Sequence, residues 1–193
     1  TMKVLNMIGL SADTLGNHNF DRGSAFLREE LIPLAKFPYL SANVVFESNG
    51  KLPKEWDASK VFDLPGGFKL GVIGYTLPQL ADLIFPGNLD PFVIEDPVTT
   101  VNAEAAKLAR KTDALVAVGH IGGDGTVLTA PTGQLMDLAN GLTGVDVVLG
   151  GHTHTQYITT AANGVLVAES PNSGTQFTRI RVVVNTKSNE VVY

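Results

Sequence analysis

Two short apolar runs constrain this chain more than any other feature. They are Ala114 to Val118 and Val145 to Leu149. Neither is long enough for an amphipathic helix, and neither shows the strict alternation of a half-exposed strand. Both read as strands covered on two faces, as in a mostly parallel sheet. Each run ends in glycine followed by histidine: LVAVGH around His120, and VVLGGHTH around His152 and His154. The chain must therefore turn sharply at the strand ends and place imidazoles there.

Composition supports buried strands. Hydrophobic residues make up 44% of the 193 residues and charged residues 17%, below the roughly 25% charge usual for globular proteins. The net charge of −5 argues against a nucleic-acid polymer as partner. With no cysteine, disulfides and thiolate metal sites are excluded, and the compartment is left open. No stretch reaches the roughly 20 apolar residues of a membrane-spanning helix. Thr1-Met2-Lys3 opens directly into helix-like sequence with no signal-peptide pattern. The chain reads as beginning inside a longer sequence, with an upstream leader left open.

No repeat or low-complexity linker interrupts the chain, so residues 1–193 are read as one domain. Helices are expected over Met2 to Leu10, Ser24 to Lys36, Asp96 to about Lys111, and Gln134 to Leu142. In the second, Phe26, Leu27, Leu31, Leu34 and Ala35 share one side, and Pro33 should shorten or kink it. Asp96-Pro97 is a helix start, with Asp as N-cap and Pro at the first helical position. Val98, Val101, Ala105 and Leu108 should face inward. Strands are expected over Tyr39 to Val45 and Phe68 to Thr76. The chain should close with an antiparallel meander of Tyr157–Thr160, Val165–Ala168, Thr178–Asn185 and Glu190–Tyr193. The expected class is layered α/β with two packed sheets.

All four histidines, His18, His120, His152 and His154, stand just past strand-like runs. Gly16, Gly119 and Gly151 precede the polar clusters and offer a sharp turn. Open α/β sheets bind ligands at the carboxyl ends of their strands, so neighbouring parallel strands would bring the imidazoles to one rim. A single histidine so placed is commonly a surface or capping residue; four together point to a site. Neutral imidazole suits Zn, Mn, Fe and related ions. Two histidines at i and i+2 in an extended turn point different ways, so each can serve a different metal. Asn17 also reads as a turn residue, and Asp21 as a helix N-cap able to orient His18 as well. Asp124 in GGDG reads as a turn former. The GHIGGDG segment fits neither dinucleotide nor P-loop patterns.

At these residues the sequence resembles the calcineurin-like metallophosphoesterases, in the branch of 5'-nucleotidases and 2',3'-cyclic-nucleotide phosphodiesterases. The matching text is LGNHNFDRG at 15–23, FPYLSANV at 37–44, VGHIGGDGTVLTAPTG at 118–133 and VDVVLGGHTHT at 145–155. Asn19 stands where the family often has glutamate, at a position that is not a ligand there. The resemblance implies an α/β/β/α sandwich and a phosphoester hydrolase with two divalent ions (Mn, Zn, Fe, Co or Mg). It implies Asn17, His120 and His152 as ligands of one ion and His154 of the other. It implies His18, oriented by Asp21, as the catalytic histidine, and Asn17 and His18 as substrate-binding groups. The implied partner is a small phosphoester such as a nucleotide, and the implied setting is extracytoplasmic. The family's first block, Asp-x-His followed by Gly-Asp, has no match here, since no Asp-x-His occurs in the chain. The first strands of the sandwich and the nucleotide-gripping C-terminal domain are unmatched with it. The expectation for residues 1–193 alone is therefore at most one weakly held ion, activity near background, and an exposed sheet edge open to pairing. The alternative reading is a non-catalytic module of the same fold.

Overall fold

A computed structural model describes residues 2–124, 132–185 and 190–192. Its helices are α1 (Met2–Met7), α2 (Gly23–Phe26), α3 (Pro97–Leu108) and α4 (Gln134–Gly141). The strands run β1 (Asp13–Thr14), β2 (Tyr39–Leu40), β3 (Val44–Phe46), β4 (Ser59–Asp63), β5 (Lys69–Thr76), β6 (Phe92–Ile94) and β7 (Ala114–His120). They continue as β8 (Val147–Gly150), β9 (Tyr157–Thr160), β10 (Leu166–Glu169), β11 (Val183–Asn185) and β12 (Glu190–Val192).

The centre is a six-stranded mixed sheet of order β4-β5-β7-β8-β10-β9. Strands β5, β7, β8 and β10 are parallel, and antiparallel β4 and β9 form the edges. The parallel core is what the two apolar runs require, and the mixed α/β class holds. Burial differs from the expectation. Along β7 the residues alternate: Leu115, Ala117 and Gly119 are buried, while Val116 and Val118 are half-buried. The buried set faces α3 and α4: a Cβ on Gly71 would meet Leu108 of α3, and one on Gly150 would meet Leu135 of α4. The other set lines a cleft of about 610 Å³ with Phe62, Val72, Leu149, Ile8 and Leu10. Among the described residues, the expected second sheet is represented by the short ladders β1-β2 and β3-β6.

Other differences have local causes. The expected second helix is only four α-helical residues long, then a wide turn over Leu27–Leu31 and a tight one over Ile32–Leu34. Pro33, lacking an N–H, lies within the tight turn, where no α-helical ladder could continue. The expected strand over Tyr39 to Val45 is broken at Ser41-Ala42-Asn43. There the buried Asn43 side chain donates to the carbonyls of Thr76 and Glu95 and accepts from the Thr76 N–H, so it serves other strands' backbones. The closing meander is also interrupted. Strands β9 and β10 join the central sheet, whereas among the described residues β11 and β12 pair only with each other, and residues 178–182 are not strand. Residues 125–131 of the matched 118–133 block and Tyr193 lie outside the described residues. Helix α3 starts as expected: the Asp96 carboxylate accepts from the Thr99 N–H at 2.7 Å. Val101, Ala105 and Leu108 are buried, and Val98 packs against the core.

Candidate active site

Three of the four histidines sit at the ends of β7 and β8, which pair in parallel in register Val116↔Val147. His120 is the last residue of β7, and His152 and His154 follow β8. The fourth arrives from outside the central sheet. Strand β1 pairs with β2 rather than joining it, and a tight turn, Asn17–Phe20, carries Asn17 and His18 to the same rim. Asn19 holds that turn: its Oδ1 accepts from the Gly16 N–H at 2.8 Å. The residue that departs from the family pattern thus has a structural task.

Asn17, His120 and His152 converge. His120 Nε2 lies 3.0 Å from Asn17 Oδ1 and 3.2 Å from His152 Nδ1. The two imidazoles meet edge to face, with centroids 5.0 Å apart. Burial lowers the pKa of His120 to about 4, helped by the neighbouring imidazoles of His152, His18 and His154. His152 is lowered too, by burial and by His154 and His18. Both rings are therefore neutral at pH 7, the form in which imidazole ligates a metal. Gly16 permits the approach by lack of bulk. Its backbone is extended, so it is not the left-handed hinge its position suggests; a Cβ there would stand 2.7 Å from His120 Cγ.

Two of the three donor separations suit a shared cation. Ligands at about 2.1 Å from a shared ion stand roughly 3.0–3.4 Å apart, which matches both separations. The set is an amide oxygen and two ring nitrogens, with no carboxylate. Among the described residues no group of three His, Cys, Asp or Glu side chains is placed to hold a metal ion.

His18 is exposed, and its Nδ1 lies 2.9 Å from Asp21 Oδ2. Asp21 does not cap α2, whose preceding residue, Arg22, makes no side-chain cap either. Its carboxylate instead faces His18. The Asn88 side-chain amide fixes this loop by donating to the carbonyls of Phe20 and Asp21. His154 is exposed and lies close enough to influence both paired rings. Neither His152 nor His154 lies in an extended turn: both take positive φ, 83° and 60°. Asp124 makes an isolated backbone bridge with Thr132.

Sequence reasoning missed Glu169. It ends β10, next to Gly150 of β8, and is 2% exposed. Burial raises its pKa, opposed by donors at Gly123, Thr153, Thr155 and His154. The one available signal was a carboxylate closing the apolar run VLVA.

With the geometry established, comparison with known proteins locates the chain. The 5'-nucleotidase of Rattus norvegicus is 36% identical over 156 residues, covering 78% of this chain and 25% of that protein. The snake venom 5'-nucleotidase of Gloydius brevicauda is 36% identical over 163 residues, covering 80% and 25%. The chain thus spans about a quarter of the length of these relatives. Among solved structures, a 5'-nucleotidase precursor from Thermus thermophilus superposes over the whole chain and 39% of its own, with TM-score 0.79 at 24% identity. The calcineurin-like phosphoesterase YfkN from Bacillus subtilis covers 89% of this chain and 57% of its own, with TM-score 0.71 at 26% identity. A family model for calcineurin-like phosphoesterases matches residues 10–156. That span includes Asn17, His18, Asp21, His120, His152 and His154, and the chain belongs to the calcineurin-like phosphoesterase family.

Proposed function

We propose that this chain carries the histidine rim of a metal-dependent phosphoester hydrolase acting on nucleotides, as a 5'-nucleotidase or a 2',3'-cyclic-nucleotide phosphodiesterase. The observation that carries the reading is the convergence of Asn17 Oδ1, His120 Nε2 and His152 Nδ1 within 3.0–3.2 Å contacts. The likeness to 5'-nucleotidases supports the substrate class. The venom relative supports an extracytoplasmic setting.

Asn17, His120 and His152 would hold one divalent cation, and His154 would serve a second. A divalent cation bound there supplies Lewis-acid polarisation of a phosphoryl oxygen. His18 works beside it. Asp21 accepts the Nδ1–H of His18 and fixes the ring. Nε2 donates toward the phosphoryl or leaving oxygen: as water adds to phosphorus and the P–O ester bond breaks, the leaving oxygen takes its proton from Nε2 and the proton lost by water passes to solvent.

A second reading has its own support. The converging donors include no carboxylate, so nothing among them offsets the repulsion between two divalent cations at close range. On this reading residues 1–193 alone bind at most one ion and hydrolyse phosphoesters near background.

Metal stoichiometry decides the ligand assignment. The purified chain is titrated with Zn²⁺ or Mn²⁺ and its content measured after dialysis. One ion per chain is expected, lost in His120→Ala and His152→Ala and retained in His18→Ala. Retention in His120→Ala, or absence from the unaltered chain, would overturn the assignment. Robust hydrolysis of AMP or a chromogenic phosphodiester by the chain, abolished by His18→Ala, would exclude the second reading.

A further inference from the structure

We infer that Glu169 is a positioning residue for the metal-binding histidines, acting as a buried carboxylate tie between the two turns that carry them. The inference rests on the metal-site reading above and extends it to a residue outside the rim.

The contacts are specific. Glu169 Oε2 accepts from the Gly123 N–H at 3.0 Å, three residues beyond His120. Its Oε1 accepts from the Thr155 N–H at 3.2 Å, one residue beyond His154. The hydroxyl of Thr153, between His152 and His154, stands 2.9 Å from Oε1 and 2.8 Å from the Gly123 carbonyl. Thr155 reinforces the tie, its hydroxyl donating to the same carbonyl at 3.1 Å. One side chain from β10 thus reaches the backbone of both turns at once.

Two further observations show what the tie must accomplish. His152 and His154 both occupy the left-handed region, which side chains with a Cβ adopt at a cost and keep only when surrounding contacts enforce it. Thr153, the residue between them, is the one the carboxylate grips. The turns are also pressed together without slack: a Cβ on Gly122 would fall 2.2 Å from Thr153 Oγ1 and 2.6 Å from the Gly151 carbonyl. A carboxylate is suited to this place because both oxygens accept and neither donates. Gln would turn one of them into a donor facing a backbone N–H or the Thr153 hydroxyl.

Two variants test the inference. Glu169→Gln keeps the shape and inverts one contact; Thr153→Val removes the hydroxyl and leaves the carboxylate. Thr153→Ser keeps the hydroxyl and is the conservative rescue. Ring resonances of His18, His152 and His154 are recorded by NMR in the metal-free chain, and Zn²⁺ affinity is measured by calorimetry. Glu169→Gln and Thr153→Val should shift and broaden the His152 and His154 signals, leave His18 unmoved, and weaken Zn²⁺ binding by about 10–100-fold, the range seen when outer supports of metal ligands are lost. Thr153→Ser should match the unaltered chain on both readouts. Unchanged His152 and His154 signals in a folded Glu169→Gln or Thr153→Val chain would overturn the inference. If Glu169→Gln does not fold, Thr153→Val decides. If the unaltered chain binds no Zn²⁺, the metal-site reading fails, while the ring signals still decide the role of Glu169.

Discussion

Gly16 and His120 are packed so closely that a Cβ on the first would stand 2.7 Å from Cγ of the second. The contact ties the turn carrying Asn17 to the end of β7, 103 residues away along the chain from Asn17 to His120. Gly16→Ala should therefore push the imidazole out of register with Asn17. Overpacking of this kind costs about 1–3 kcal/mol, readable as a lower urea midpoint with unchanged slope. Zn²⁺ affinity should fall in the same variant. An unaltered midpoint and affinity would mean that His120 has room to move aside.

On the proposed reading, His18 and Asp21 should separate cleanly from the metal ligands. His18→Ala is expected to lower turnover by roughly 10²–10⁴ with metal content intact. Asp21→Asn keeps a partner of similar shape at the ring but turns one of its acceptors into a donor, so a smaller loss is expected. Steady-state kinetics with metal analysis of each variant make the comparison. Loss of metal from His18→Ala would exchange the roles.

Asp96 gives a prediction independent of function. The Thr99 hydroxyl and N–H, which donate to its carboxylate, hold its pKa below the ordinary value of 3.8. A carboxylate depressed in the folded state contributes stability above its unfolded pKa and loses it as pH falls through the folded one. The cap should thus contribute at neutral pH and fade below about pH 4. Asp96→Ala should cost about 0.5–2 kcal/mol at pH 7. The difference between variant and parent should shrink in denaturation curves collected toward pH 3.

Much of the site was legible because its residues obey a local rule. His120, His152 and His154 follow apolar runs that can only be central strands, and such strands end on a common rim. The cap at Asp96 and the break at Pro33 were legible for the same reason, since each acts on its own backbone. What escaped depends on partners distant in sequence. Ser59–Asp63 reads as SKVFD, too mixed to announce a strand, and is one only because β5 pairs with it. Ser41 and Asn43 break an otherwise good strand to reach Thr76. Glu169 looks like an ordinary strand end until Gly123 and Thr155 are folded onto it. The placement of β1 outside the central sheet had no local sign, because two residues carry no periodicity.

The positive φ angles of His152 and His154 have an evolutionary consequence. Glycine would occupy either position with less strain, relieving about 1 kcal/mol or more at each. Replacing His154 with glycine should then yield a chain that melts later and works worse. Any search that rewards thermal tolerance alone would drift away from these histidines. On the proposed reading, their presence in this chain sets chemistry above robustness at two places where the backbone is least comfortable.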